Sequence, residues 1–406
     1  MELINMTNKL CYVLLFSSLF YSLPSSASRI NPTVSSIKIY DVVRDFGAKN
    51  DGNTDATTSF LNAWNAACAS LTPSQIYVPK GNYVLGSICF EGASCKSLTS
   101  FIIDGTLIAR NIDREQFWIG FHSVNGLHIK GGVLDAKGKN LWDCKLGGRN
   151  CPVGAKSLDF DNSKNIIVDG LTSRDSQFFH IAINDCQNVN MGGILVTAPA
   201  DSPNTDGIHI ERSEGVTITH SQFMTGDDCI SIGPQNQNLW IENVNCGPGH
   251  GISIGSLGKR QWDEGLLVQN VTVKSVTLTG TQNGLRIKTY ASSIEGNVRD
   301  IYFFGATMTN VGNPIIIDQF YCPHGNCTTG QESAIKISNV LYKNIRGISS
   351  SPQIITFDCS LEKPCDGLQL QDIKLTYKGP GAPHCEVKNS HWRVGGLIQL
   401  PSKCLV

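Results

Sequence analysis

The sequence predicts an all-β chain, a single-stranded parallel β-helix of about ten coils with one capping helix at its N-terminal end. Three observations carry this reading. Ten segments share an apolar pair two residues apart, followed at a fixed distance by a bend residue. Four segments align beneath one another with their polar residues in phase. One stretch alone has helical spacing over several turns, and it precedes all the repeats.

The first 28 residues differ from the rest of the 406. Lys9 precedes an apolar run over 10–16 that continues through Leu19, Phe20 and Tyr21; Pro24 and the small residues Ser25, Ser26, Ala27 and Ser28 follow. This is the pattern of a signal peptide cleaved near Ala27 or Ser28. As a membrane anchor the run falls short of the roughly 20 apolar residues needed to span. The expected organisation is therefore a signal peptide over 1–28 and one catalytic β-helix over 29–406, secreted and monomeric, since a β-helix buries its own core. A net charge of −1 without basic clusters gives no footprint for nucleic acid.

Fifteen cysteines agree with export, and Cys11 lies in the leader. The close pairs Cys89/Cys95, Cys144/Cys151, Cys322/Cys327, Cys359/Cys365 and Cys385/Cys404 suggest local staples, although spacing leaves the connectivity open. There is no Cys-x-x-Cys, so a zinc site is a poor reading. Asn270-Val271-Thr272 and Asn326-Cys327-Thr328 are glycosylation acceptors in a secreted chain.

In chain order, the helix comes first. Phe60, Ala63, Trp64, Ala67 and Leu71 recur at helical spacing within 56–71, and this helix would cover one open end of the solenoid. The repeats then start at Phe101, Leu127, Ile166, Val189, Val216, Leu239, Leu266, Ile301, Val340 and Leu368. Two residues later each is apolar again. Four residues after the start stands Gly105, Gly131, Gly170, Gly193, His220, Asn243, Asn270, Gly305, Asn344 or Asp372. Nine of the ten are Gly, Asn or Asp, the residues that tolerate a left-handed backbone at a bend. A leucine-rich horseshoe would need a different Leu spacing and a helical half. A sandwich gives no reason for a bend at constant phase.

The four aligned segments are Asn204–Ile210, Gly226–Ile232, Gly249–Ile254 and Asn283–Lys288. Each reads polar, small, apolar-x-apolar. Asp206, Asp228 and His250 are 22 residues apart, twice over. Equivalent positions on adjacent coils lie about 4.8 Å apart, so these three form a rail. Ile208, Ile230, Ile252 and Leu285 would stack inward, while His209, Ser231, Ser253, Arg286 and Lys288 face outward. Asp227 and Asp228 are adjacent, with Asp206 one coil away. Like charges this close must raise at least one carboxyl pKa, a feature of active sites rather than of solvated faces. Crowded acids beside Arg286 and Lys288 suit glycoside hydrolysis of an acidic polysaccharide.

On these motifs the chain resembles the polygalacturonases of glycoside hydrolase family 28, specifically the plant ones. The four family motifs stand as Asn204-Thr205-Asp206, Gly226-Asp227-Asp228, Gly249-His250-Gly251 and Arg286-Ile287-Lys288. Flanking segments 202–203, 246–248 and 313–319 are also similar, and the likeness runs from about Ile39 to Cys404. The resemblance implies a right-handed β-helix that hydrolyses α-1,4-galacturonan of de-esterified pectin with inversion and without a metal or cofactor. It makes Asp227 the general acid, Asp206 and Asp228 the water-activating pair, and His250 a partner of the acid. It gives sugar binding to Asn204, Arg286, Lys288 and Tyr321, and a disulfide to Cys229 and Cys246. Phe320 and Thr289-Tyr290-Ala291-Ser292-Ser293 depart from the usual plant pattern, at Asn and at a Trp respectively. A cell-wall location and an inhibitor-protein partner belong to the same expectation. Endo action is preferred over exo. A rhamnogalacturonan hydrolase, a calcium-dependent pectate lyase and a non-catalytic wall protein are the alternatives.

Overall fold

A chain that turns every few residues needs positions where a left-handed backbone is cheap. In the computed structural model, Gly131, Gly170, Gly193, His220, Asn243, Gly305, Asn344 and Asp372 all take φ between 49° and 71°. The structure describes residues 37–406 except 98, 324, 328, 329, 402, 403, 405 and 406, so the expected leader over 1–28 lies outside the described residues. Eight of the ten predicted repeat starts are in register with one another, and two are not. Leu239 pairs with Val271, five residues beyond the expected start Leu266. The strand Leu266–Lys274 carries two apolar pairs with Asn270 between them, and the correct bend is Ser275 at φ 54°. Phe101 pairs with Ile129, because the true start is the polar Thr99, opposite Leu127. Gly105 does not take a positive φ. A Cβ there would lie 2.7 Å from the Pro79 carbonyl oxygen and 2.8 Å from the Tyr83 ring, so it is small for want of room.

A second line of bends lies one residue before the apolar pairs, and the sequence pattern picks out only Asn270 of it, placed there in the first line. Asn165, Asn188, Asn238 and Asn270 take φ of 53–59° and stack. Asn165 donates to Asn125, Asn188 to Asn165 and Asn270 to Asn238, each at 2.7 Å. Of the two glycosylation acceptors, Asn270 is exposed and Thr328 lies outside the described residues.

The strands form a right-handed parallel β-helix whose coils share one nineteen-stranded and one eleven-stranded sheet. In the eleven-stranded sheet each strand pairs with the next coil's strand, in unbroken chain order from Ile88–Glu91 to His384–Lys388. Five consecutive strands of it matter here: Ile208–Glu211, Ile230–Ile232, Ile252–Leu257, Asn283–Thr289 and Asn313–Asp318. Their register is the predicted one, with Ile208, Ile230, Ile252, Leu285 and Ile315 in one inward file and Ile210, Ile232, Ile254, Ile287 and Ile317 in another. All ten are buried, each contributing about 1.5–3 kcal/mol. A slip of one residue would expose both files and bury the polar ones, so this register is strongly specified.

The capping helix runs Thr57–Ala69 and buries Phe60, Ala63, Trp64 and Ala67 over the first coils. The Trp64 indole N–H donates to the Glu91 carbonyl at 2.9 Å. Leu71 was expected on the same face but lies past the helix end, 82% exposed. A shorter helix, Lys139–Leu146, occupies a loop between coils.

Four of the close cysteine pairs are disulfides: Cys144–Cys151, Cys322–Cys327, Cys359–Cys365 and Cys385–Cys404. The fifth expectation fails. Cys95 bonds Cys68 in the last turn of the capping helix, a partner that sequence spacing does not reveal. Cys186 remains a buried thiol, and burial pushes its pKa up to about 12.

Gly251 tests how tightly the coils meet. It takes φ +87°, and a Cβ there would collide with the Asn283 and Gly284 carbonyl oxygens of the next coil. Gly251→Ala should lose at least the 1–2 kcal/mol of the left-handed conformation alone. Denaturant unfolding should show a lower midpoint at unchanged slope, and an unchanged midpoint would mean the coils are not in close contact there.

Candidate active site

The polar residue that opens each site strand is held by the small residue after it. Gly207 donates its N–H to the Asp228 carbonyl at 2.9 Å, and Cys229 to the Gly251 carbonyl at 2.8 Å, so the backbone ladder continues through the bend. A Cβ on Gly207 would sit 2.5 Å from the Phe223 ring. Cys229 occupies the corresponding place one coil on and bonds Cys246, the disulfide expected from the family resemblance. Asp206, Asp228 and His250 are thereby fixed on successive coils.

The three carboxylates meet different surroundings. Asp227 remains partly open to solvent, and its Oδ1 lies 2.9 Å from His250 Nδ1 and accepts the Asp228 backbone N–H at 2.9 Å. Asn204 Nδ2 reaches its other oxygen at 3.4 Å. Asp228 is buried. Its Oδ1 accepts from Ser253 Oγ and Arg286 Nη2, its Oδ2 from Lys288 Nζ, all at 2.8 Å. Burial pushes this carboxyl up, but the charges of Lys288 and Arg286, with the hydrogen bonds from Lys288 and Ser253, outweigh it and bring it down to about 2. Asp206 is buried too, with the charge of Lys288 acting on it only from a distance. Burial first, then the charges of Asp227 and Asp228, push its carboxyl well above the usual range, against a 2.7 Å hydrogen bond from Ser231.

Arg286 and Lys288 were expected on an open cationic edge. They are 7% and 6% exposed and committed to Asp228, so they form the floor of the site. Lys288 does align with Asp318 on the next coil, yet its ammonium turns to Asp228 while Asp318 accepts the Phe320 N–H at 2.9 Å. Tyr321 closes the floor, its ring centroid 5.0 Å from Lys288 Nζ and 5.8 Å from the Arg286 guanidinium.

Other groups were not singled out from sequence. Tyr290 meets Tyr321 edge-on at 5.5 Å, and Lys259 Nζ lies 5.6 Å from the Tyr290 ring. Ser231 and Ser253 gave only the signal of outward alternation. A cleft of about 490 Å³ opens beside His250, lined by Gln282, Asn310, Asn313, Ser350 and Ser351 among others. Asp227, Asp228 and His250 place one donor atom each within 4.8 Å of one another, a spacing that could hold a metal. A divalent cation there would face the two buried cations already on Asp228.

Asp228 and Asp206 should respond oppositely to neutralisation. Asp228→Asn leaves two buried cations without their counter-charge and should cost about 3–5 kcal/mol at pH 7. A depressed carboxyl contributes stability above its unfolded pKa of about 3.9, and that contribution is lost as pH falls toward about 2. Asp206 has a raised pKa, so its native state holds a proton the unfolded chain has released, and stability falls as pH rises from about 4. Asp206→Asn should therefore be more stable than wild type at pH 7, with the gain vanishing toward pH 3. Denaturant unfolding at both pH values checks the signs; destabilisation of equal size in both variants would contradict this charge arrangement.

The comparisons with known proteins agree with the geometry. The family model described as "Glycosyl hydrolases family 28" matches residues 68–395. A polygalacturonase of Prunus persica is 51% identical over 381 residues, covering 93% of this chain and 96% of that protein. An exopolygalacturonase of Platanus acerifolia is 44% identical over 349 residues, 84% of this chain and 91% of that one. Among solved structures, an exopolygalacturonase from Thermotoga maritima superposes with a TM-score of 0.72 at 18% identity, over 89% of this chain and 93% of that one. The chain belongs to family 28 of the glycosyl hydrolases.

Proposed function

We propose that this protein is a secreted polygalacturonase that hydrolyses α-1,4-galacturonosyl linkages of de-esterified pectin with inversion, in the plant cell wall. The observation that carries the reading is the division of labour among three carboxylates. A solvent-facing Asp227 is paired with His250, while Asp206 and Asp228 sit behind it in opposite electrostatic settings. Asp227 is the general acid that protonates the leaving O4. Asp206 and Asp228 orient and deprotonate the attacking water, Asp228 being held as a carboxylate by Arg286 and Lys288. His250 orients the proton on Asp227. Arg286, Lys288 and Tyr321 form the floor beneath the galacturonate ring, and Asn204 stands at its edge. The relatives' names and the acidic substrate they share support the substrate class. Disulfides agree with an oxidising destination, and no helix among the described residues is long and apolar enough to cross a membrane.

Internal cleavage is preferred to release of terminal residues, supported by the cleft beside His250, which leaves room for chain on that side. Both activities are named among the relatives. A chain-length ladder from polygalacturonate separates them, since endo action gives intermediate oligomers early and exo action gives only monomer.

A reducing-end assay on polygalacturonate tests the reading. Wild type should be active without added metal and keep its activity in EDTA. Asp227→Asn should lose at least about 10²–10⁴-fold in kcat with little change in stability. The rate profile should be a bell with its optimum at about pH 4 to 6. The acid limb reports protonation of the water-activating carboxylates, and the alkaline limb loss of the proton that a general acid must carry. Activity that requires calcium, peaks above pH 8 and yields unsaturated ends would replace this reading with a lyase.

A further inference from the structure

Asp206 poses a problem for the mechanism. As a water-activating base it must be ionised, yet it is buried beside two other carboxylates. Its one hydrogen-bond donor is the Ser231 hydroxyl, which could equally turn away. One coil further on, another serine beside a carboxylate has an unambiguous donor, which shows how such a hydroxyl is fixed. Ser231 and Ser253 are register partners. Arg286 Nε donates to Ser253 Oγ at 2.9 Å, and Ser253 donates onward to Asp228 at 2.8 Å. Arginine can only donate, so Ser253 accepts from it and the single hydroxyl hydrogen points at the carboxylate. The register equivalent of Arg286 beside Ser231 is Ser253, and the group within reach of Ser231 is instead His209, its partner on the preceding coil, whose Nδ1 lies 2.7 Å from Ser231 Oγ.

The far side of His209 shows which way its protons face. Nε2 lies 3.1 Å from Glu211 Oε1. Glu211 also accepts from Arg212 at 2.8 Å and from Arg260 at 3.3 Å, the latter reaching back from the loop after Ile252–Leu257. Burial pushes Glu211 up, but the hydrogen bond and charge of His209 and the charges of Arg260 and Arg212 bring it down to about 2, so it is an acceptor only. The Phe179 ring stacks on the imidazole at 4.3 Å, and the register partner on the preceding coil is the uncharged Ala182. Within this surround the titratable and charged groups facing His209 are Glu211 with its two arginines and, through Ser231, Asp206.

Resting on the hydrolase reading, we propose that His209 is a positioning residue for Asp206. With Nε2–H donated to Glu211, His209 carries a second proton on Nδ1 as the imidazolium, donates through it to Ser231 and so commits the Ser231 hydroxyl to the Asp206 carboxylate. The chain Glu211–His209–Ser231–Asp206 thus favours the ionised form of Asp206 against the burial and like charge that oppose it. His209 touches neither substrate nor water in this scheme. Its effect is read through the protonation of Asp206.

The test uses the full chain and two variants. His209→Phe keeps a ring against Phe179 and removes both donors, whereas His209→Asn puts a donor back near the position of Nδ1. Carboxyl ¹³C titration reads Asp206 directly, its signal being the one missing from Asp206→Asn. In His209→Phe the Asp206 midpoint should rise by about half a pH unit or more, and the acid limb of kcat should move with it. That is a loss of about threefold or more on that limb, with KM nearly unchanged. His209→Asn should return both toward wild type. If His209→Phe does not fold, Ser231→Ala, which deletes the hydroxyl, must show the same rise. An Asp206 midpoint and an acid limb that stay in place overturn the inference. The titration needs no substrate, so it is decisive even if wild type releases no reducing ends from polygalacturonate, a result that would sink the hydrolase reading by itself.

Discussion

The structure depends on the register between coils. Ile208, Ile230, Ile252, Leu285 and Ile315 can share one file only if every coil advances by one inter-strand spacing without slipping. That requirement places small residues where one coil's bend meets the next, at Gly207, Cys229, Gly251 and Gly284. It also decides which polar side chains meet. Asp206, Asp228 and His250 are neighbours because the hydrophobic files beneath them are aligned, and no local sequence preference brings them together.

Crowded acids are costly, and the site manages the cost unevenly. Asp228 is surrounded by two cations and a serine, which makes a buried carboxylate tolerable. Asp206 receives one serine and remains the strained member. Asp227 is left toward solvent, where a general acid can exchange its proton each turnover. One scaffold therefore shifts the proton affinities of Asp206 and Asp228 in opposite directions, an asymmetry that the proposed inverting hydrolysis would use. Coil repetition sets a serine against each of these two carboxylates, while the partner of that serine differs, Arg286 on the following coil in one case and His209 on the preceding coil in the other.

Much of this was legible in the sequence because a solenoid converts sequence spacing into contact. The interval of 22 residues gave the stacking of Asp206, Asp228 and His250, and period-two alternation gave their inward neighbours. Where two apolar pairs shared one strand, at Leu266 and Val271, spacing could not choose between them, and the phase was misread. Asn165, Asn188 and Asn238 are not legible as bends, and Asn270 falls in the wrong line, because these bends precede the apolar pairs that define the repeat. Direction within the groove was least legible. Arg286 and Lys288 face outward as expected, but alternation does not say that Asp228 lies close enough to claim both. Cys68–Cys95 was likewise hidden, since it joins the capping helix to a loop through the fold.

The central claim is that Asp227 protonates the leaving oxygen while a water held by Asp206 and Asp228 attacks from the opposite face. Stereochemistry tests it most directly. Proton NMR of the first reducing ends released from an α-1,4-galacturonan oligomer, recorded before mutarotation, should show the β-anomer. Release of the α-anomer first would mean that a covalent intermediate or a different pair of carboxylates does the chemistry, and would contradict the account.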